Sequence, residues 1–381
     1  MIESEQAAVD VPRPTKQGTP APPEVRGLLL DELSGVLAEL GERPFRARQI
    51  MNWLWRKGAT SFEAMTDLPA ALRGRLAQAL RLSPTTVRRK RRAADGTLKL
   101  LVGFPDGAAV ESVVIPTGER VTLCLSSQVG CALGCVFCAT GRMGLYRNLS
   151  AGEILGQLIE ARAATAPAEL TNYVFMGMGE PLANYAALSR SLAIMTAPWG
   201  LGISPRRITV STVGLVPLMG RLLSEFAVNL AVSLHATTDE LRGRLIPVNR
   251  RYPLAELLAA CRDLPLERRR RITFEYVMLC GVNDGRAEAQ RLAALLRPLR
   301  AKVNLIVFNS FAGAPFGASD AETTAVFQEI LRQAKLTATV RQSRGADIAA
   351  ACGQLWRPEL TGGRPRREGA DPRRPGGGAS A

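Results

Sequence analysis

The stretch CALGCVFC sets Cys131, Cys135 and Cys138 in a Cys-x3-Cys-x2-Cys pattern. With seven cysteines in 381 residues, chance yields roughly 0.002 such matches, so the spacing carries information. A structural zinc site wants four ligands in pairs. The chain has neither a second Cys-x2-Cys nor a His-x3-His, and His235 is its single histidine. A four-iron cluster ordinarily takes four thiolates. Three closely spaced thiolates would hold such a cluster and leave one iron open to bind something else. The other cysteines are Cys124, Cys261, Cys280 and Cys352. An odd total favours metal or thiol chemistry over a disulfide framework. Cys124 lies in the apolar run VTLCLSS and Cys352 in AAACG, places where a lone cysteine ordinarily fills core space. Cys261 and Cys280 read as core.

Such a cluster has to sit at the mouth of a fold, and the pattern after Arg120 supplies one. Seven candidate strands (VTLCLSS, NYVFMG, RRITVST, VNLAVSL, RITFEYVML, KVNLIVF and TATVRQ) alternate with helical segments. Ser150 with Glu153, Thr237 with Glu240, and Ser319 with Glu322 fit capping boxes at helix starts. Strands alternating with helices predict an α/β fold with a parallel sheet and right-handed crossovers. Six or so βα units suit a partial TIM-like (βα)6 barrel with its site at the C-terminal strand ends. The cysteine motif follows the first of these strands and faces that mouth.

Upstream, LLLDELSGVLAEL and QIMNWLWRKG repeat apolar residues at helical spacing. Asp95-Gly96 and Asp106-Gly107 then mark two tight hairpin turns. The expected organisation is a disordered extension over 1–25, an N-terminal helical accessory domain over 26–82, a β-hairpin connector over 83–119, the core barrel over 120–356 and a disordered basic tail over 357–381. The chain carries a net charge of +15, with basic runs at Arg88–Arg92 and Arg268–Arg271. Charge alone fits either a solvated arginine-rich surface or a polyanionic partner such as RNA or DNA. The start MIESEQAAVD lacks the features of a signal peptide, and no apolar run is long enough to span a bilayer. A cytoplasmic protein without a membrane partner is expected.

An iron left open can be chelated by the amino and carboxylate groups of S-adenosylmethionine, the working arrangement of the radical S-adenosylmethionine enzymes. MGMGEP, one βα unit after the cysteines, supplies a glycine-rich turn at which backbone can approach such a ligand. The stretches VESVVIP, LCLSSQVGCALGCVFCATG, RNLS, MGMGEPL, STVG, SLHA and RGADIAAACGQL together resemble the bacterial RNA adenine C2-methyltransferase family called RlmN, which acts on 23S rRNA and certain tRNAs. The resemblance runs from about Gly27 to Trp356. NSFAGAPF stands where NPFPGAPY is more usual in the family, and GRMGLYRNL departs from its GQMG form. Both departures flank the site and bear on substrate detail.

Position 2 of adenine is an electron-poor C–H between two ring nitrogens, so direct displacement on a sulfonium methyl is implausible there. The resemblance implies the way round this. Cys352 accepts a methyl group from one S-adenosylmethionine. A second, bound at the [4Fe-4S] cluster of Cys131, Cys135 and Cys138, is cleaved reductively to a 5′-deoxyadenosyl radical that takes hydrogen from that methyl. The methylene radical adds to the adenine, Glu111 accepts a proton, and Cys124 resolves the adduct, ending disulfide-bonded to Cys352. Cys124 is expected to act as a thiolate, which a cationic site favours. Gly179, Glu180, Ser211, Ser233, Leu234, His235 and Asn309 match contacts to S-adenosylmethionine. His235 is assigned to binding rather than to catalysis as a base.

The implied partners are 23S rRNA, tRNA and an external electron donor such as flavodoxin, with the enzyme a monomer. The target base has to leave its stack to reach a barrel interior. Trp53, Trp55 and neighbouring arginines of the helical unit are a candidate RNA grip, or equally the core of a packing module. Rival readings are a C8-adenine rRNA methyltransferase of the same build, a glycyl-radical activase, and a non-enzymatic RNA-binding iron-sulfur protein. The pairing of Cys124 with Cys352 argues against the activase, which needs no methyl-carrying thiol.

Overall fold

The computed structural model describes residues 22–82, 85–267 and 269–355. Most of the expected N-terminal extension, the whole expected C-terminal tail with Trp356, and Arg268 of the second basic run lie outside the described residues. Three helices come first: α1 (Leu30–Glu39), α2 (Phe45–Trp55) and α3 (Ala70–Ala79). Their apolar residues recur every three or four positions, so Leu33 and Leu37, Ile50 and Leu54, and Leu72 and Leu76 form inward stripes with no exposed surface. Each such side chain contributes roughly 1.5–3 kcal/mol by leaving water. Trp55 belongs to this core, while Trp53 is half-buried and places its ring under the Lys57 ammonium, 3.6 Å from the centroid.

Four strands follow: β1 (Thr86–Arg92), β2 (Leu98–Gly103), β3 (Ala109–Thr117) and β4 (Arg120–Cys124). The two Asp-Gly pairs lie in the turns β1–β2 and β2–β3, where Gly96 and Gly107 take φ of 85° and 87°. That left-handed geometry costs glycine nothing. Next come a small hairpin of β5 (Gln128–Cys131) and β6 (Gly144–Asn148) around the short helix α4 (Ala139–Met143), and then α5 (Ala151–Thr165). Strand and helix alternate thereafter through β7 (Asn172–Phe175), α6 (Tyr185–Thr196), β8 (Ile208–Thr212), α7 (Val216–Glu225) and β9 (Asn229–Ser233). Helices α8 (Asp239–Leu245) and α9 (Leu254–Asp263) lead to β10 (Ile272–Met278). Finally α10 (Arg286–Leu296), β11 (Ala301–Val307), α11 (Ala321–Gln333) and β12 (Thr337–Arg341) complete the order.

All strands but the β5–β6 hairpin join one sheet in the order β1-β2-β3-β4-β7-β8-β9-β10-β11-β12. Pairing is parallel from β4 to β12, which gives six βα units and a seventh strand; it is antiparallel from β1 to β4. The hairpins of the connector are thus hydrogen-bonded into the barrel sheet, with Val113 paired to Cys124. Strands β1 and β12 are its two edges.

Ser150 and Glu153 form the expected capping box on α5. The other two caps fall one residue later than expected, at Thr238 and Asp320. The reason is burial. Thr237 and Ser319 are buried and spend their hydroxyls on Glu288 and Asp284, at 2.6 Å each, leaving their neighbours to cap. Cys261 is core as expected, whereas Cys280 follows the end of β10 and is exposed.

A parallel sheet ends in carbonyls that need donors. Arg242 of α8, fully buried, supplies them: it donates to the carbonyls of Val213, Ser233 and Leu234 at 2.6–3.1 Å and to Asn249 Oδ1 at 2.8 Å. It fixes the ends of β8 and β9 relative to each other. Arg242→Met leaves those carbonyls without a donor, and chemical denaturation is expected to show a loss of about 3 kcal/mol or more.

Candidate active site

The C-terminal strand ends converge on a cleft enclosing about 970 Å³, part of it open to solvent. Cys131, Cys135 and Cys138 line one side. Their loop turns tightly, with the Cys138 N–H donating to the Cys135 carbonyl at 3.1 Å. A Cβ on Gly141 would come within 2.9 Å of that same carbonyl oxygen, so the turn is closed to larger residues. Burial and the neighbouring thiols push all three up, Cys131 to about 12. Three ionised thiols here would be costly without a cation among them, and the iron of a cluster is such a cation. The donor set therefore fits a [4Fe-4S] cluster. Among the described residues no three His, Cys, Asp or Glu side chains are gathered to hold a single ion. A cluster, in which each thiolate takes a different iron, does not require that.

The MGMGEP turn after β7 also lines the cleft. Gly179 takes φ 97° and sits so close to Gln128 that a Cβ would meet its side chain at 2.6 Å. Gln128 in turn accepts the Glu180 N–H at 2.8 Å and donates to Asn148 at 2.7 Å, tying this turn to the cluster hairpin. Glu180 lines the cleft, and its carboxylate accepts the N–H groups of Leu182 and Val213, both at 3.0 Å. Burial outweighs those bonds and pushes its carboxyl up to about 7.

Ser211 and Ser233 reach the cleft from the ends of β8 and β9. His235 follows at φ 59°, buried edge-on against Phe137 with centroids 4.7 Å apart. Its Nδ1 accepts the Val277 N–H at 3.0 Å, so the neutral ring presents Nε2–H as a donor. Burial, reinforced by Arg242, pushes its pKa down to about 3, which removes it as a base near neutrality. Asn309 also lines the cleft and donates to the Cys352 carbonyl at 3.2 Å. Leu234 does not reach it: the side chain is fully buried outside the lining, and its N–H is spent on the Glu275 carbonyl.

Cys352 lines this cleft and also an adjoining compartment whose wall includes Cys124. Both thiols are free. Cys124 is pushed up to about 12 by burial and by Cys352, with only partial relief from Arg341. Glu111, on β3, does not line the cleft. Its carboxylate is ion-paired at 2.9 Å with Lys99, both side chains nearly fully buried. Lys99 Nζ also donates to the carbonyl of Ala349, 2.9 Å away and three residues before Cys352.

Two charged residues of the cleft belong to none of the motifs read from the sequence. Arg341, the last residue of β12, borders both compartments, held more strongly protonated by the nearby Cys352, Glu275 and Cys124. Glu275 lies within apolar β10, lines the cleft and accepts from Asn304 at 2.7 Å. Their signals were present: a cation at a strand end and an acid inside an apolar strand.

The family model of the radical SAM superfamily matches residues 125–293, and that of the ribosomal RNA large subunit methyltransferase N-terminal domain matches residues 24–82. A dual-specificity RNA methyltransferase RlmN of Anaeromyxobacter dehalogenans (strain 2CP-C) is 53% identical over 355 residues, covering 91% of this chain and 95% of that protein. The chain belongs to the RlmN family. The RlmN of Geobacter sulfurreducens is 51% identical over 332 residues, 87% of this chain and 91% of that one. A crystal structure of a radical SAM methyltransferase from Sphaerobacter thermophilus superposes with a TM-score of 0.84 at 51% identity, covering 88% of this chain and 99% of that one. Membership brings with it the [4Fe-4S] cluster and S-adenosylmethionine, for which the thiols and the polar wall of the cleft are suited.

Glu180 and His235 make the cluster-free chain respond to pH in opposite senses. Glu180 titrates higher in the folded state than its ordinary 4.5. Its contribution is therefore complete below about pH 4.5 and is lost as pH rises through 7. His235 titrates lower than its ordinary 6.5, so its contribution holds above that value and is lost as pH falls towards 3. Glu180→Gln removes the first effect. Relative to wild type, the cluster-free variant is expected to gain on the order of 3 kcal/mol between pH 4 and pH 8, read from urea unfolding at each pH.

Proposed function

We propose that this chain methylates carbon 2 of adenine in 23S rRNA and in tRNA, carrying the transferred carbon on Cys352. The observation that supports this most is the double position of Cys352, which borders the cleft of the three cluster thiols and the compartment of Cys124. A methyl-carrying thiol needs both: one side to be loaded and activated, the other to be released.

When bound, the cluster and S-adenosylmethionine supply a methyl group and, by one-electron reduction, a carbon-centred radical. The chain's own residues do the rest. Cys131, Cys135 and Cys138 hold the iron. Glu180 suits the ammonium of S-adenosylmethionine, whose positive charge draws the raised carboxyl into its ionised form. Gly179 lets backbone approach, and Ser211, Ser233, Asn309 and the Nε2–H of His235 offer hydrogen bonds to its other polar groups. Cys124 is held as a thiol until it displaces the product from Cys352, and the Arg341 guanidinium favours its deprotonation when it does. Glu111 is the proton acceptor in this reading, tied through Lys99 to the segment that bears Cys352.

The RNA substrate is a polyanion, and strand β1 meets it with Arg88 to Arg92, all exposed on an edge of the sheet. No helix among the described residues is long and apolar enough to cross a membrane. A cytoplasmic monomer drawing electrons from a donor such as flavodoxin completes the reading.

Mass spectrometry of rRNA and tRNA from a deletion strain tests the function directly: 2-methyladenosine is expected to vanish from both, and its persistence would defeat the assignment. Cys352→Ala is expected to abolish turnover while the iron and sulfide content stays at the wild-type level. Cys124→Ala should leave RNA covalently attached to Cys352, detected as a slow-migrating protein–RNA species that nuclease collapses.

A further inference from the structure

The segment after β12 crosses from one edge of the sheet to the other. Its first half docks on the β1–β2 hairpin. Gly345 N–H donates to Asp95 Oδ2 at 3.0 Å, Ala94 N–H to Asp347 Oδ2 at 3.1 Å, and Lys99 Nζ to the Ala349 carbonyl at 2.9 Å. Its second half docks on the cluster loop and the end of β11. Ala139 N–H donates to the Gly353 carbonyl at 2.8 Å, Thr140 to that of Leu355 at 2.5 Å, and Gln354 to that of Ser310 at 2.8 Å. Cys352 hangs between these two sets of anchors.

Two details make the hairpin side more than packing. Ala349 adopts φ 52°, a left-handed conformation that a residue with a Cβ disfavours, and its carbonyl is the one Lys99 holds. Lys99 is itself buried and paired with Glu111. A buried ion pair is a poor source of stability compared with well-packed apolar residues, but it fixes geometry. The Lys99 ammonium thus spans β2, β3 and the crossing segment from one point.

We propose that Lys99 is a positioning residue for Cys352. With Asp95 and Asp347 it clasps the crossing segment, selects the left-handed turn at Ala349, and sets the distance of the Cys352 sulfur from the cleft on one side and from Cys124 on the other. The inference rests on the assignment of Cys352 as methyl carrier. It predicts that loosening the clasp uncouples the reaction rather than simply slowing it, because the cluster loop and the S-adenosylmethionine wall are untouched.

Lys99→Met, Lys99→Arg and Asp347→Ala test it in the anaerobically purified full-length enzyme. The coupling ratio, 5′-deoxyadenosine formed per methylated adenine, is expected to rise at least fivefold in Lys99→Met and twofold or more in Asp347→Ala. Iron content should be unchanged, and Lys99→Arg should return the ratio to near wild type. In the cluster-free chain, oxidation by glutathione disulfide followed by peptide mapping reads the same geometry without turnover. The yield of the Cys124–Cys352 disulfide is expected to shift several-fold in Lys99→Met and Asp347→Ala. A purely structural role would lower the melting temperature and the amount of active enzyme but leave the coupling ratio and the disulfide yield of the folded fraction at wild-type values, and that result overturns the proposal. Where Lys99→Met fails to fold, Asp347→Ala decides, since its clasp contact lies at the surface and leaves the Lys99–Glu111 pair intact. Full activity of Cys352→Ala would instead overturn the methyl-carrier assignment itself.

Discussion

Polar groups buried at the ends of a parallel sheet must find partners inside the protein, and that constraint shapes the whole site. Arg242 alone satisfies the carbonyls of Val213, Ser233 and Leu234. Gln157, with no exposed surface, does the same for Ser126, accepting its N–H at 2.9 Å and donating to its carbonyl at 2.9 Å. Asn184 donates to the carbonyls of Ser127 and Leu149. These residues do not line the cleft; Arg242 holds the ends of β8 and β9, which do, and Gln157 and Asn184 hold the segments that flank the β5–β6 hairpin. The polar groups that remain in the wall, such as Glu180 and His235, have their geometry set by backbone N–H donors before any ligand arrives. Such preorganisation is what a site handling a reactive radical requires.

The same low dielectric that sharpens these contacts governs the thiols. Burial pushes the Cys124 thiol up, so the group assigned to end the cycle ionises reluctantly. Cys352 stands beside Arg341 and at a compartment boundary, a setting that admits more than one partner. Placement, more than intrinsic reactivity, separates the roles that the five cysteines of the site are assigned.

Much of this was legible in the residues alone, because periodicity and turn chemistry are local. The strand–helix alternation, the Asp-Gly hairpins and the Ser150 cap all follow from side chains a few positions apart. What stayed hidden depended on distant partners. Thr237 and Ser319 look like caps until Glu288 and Asp284 claim their hydroxyls. Leu234, within a motif of binding residues, turns away into the core. The fusion of the hairpin connector with the barrel sheet rests on the β3–β4 register, which no local pattern encodes. Glu111 drew notice through its motif, but its pairing with Lys99 across two strands did not. Arg341 and Glu275 are the single charged residues of their strands, and only the converging strand ends show why they are there.

The crossing segment also gives the molecule a seam. Thr140, just after the cysteine loop, and Leu355, whose carbonyl accepts its hydroxyl, are 215 positions apart in the chain. Every strand of the barrel therefore precedes the piece that bridges its two edges. The three thiols assigned to the iron are therefore synthesised long before Cys352, the last cysteine of the cleft. The wall of the cleft is thus completed from the far end of the chain, by the segment that bears the thiol assigned to carry the methyl group.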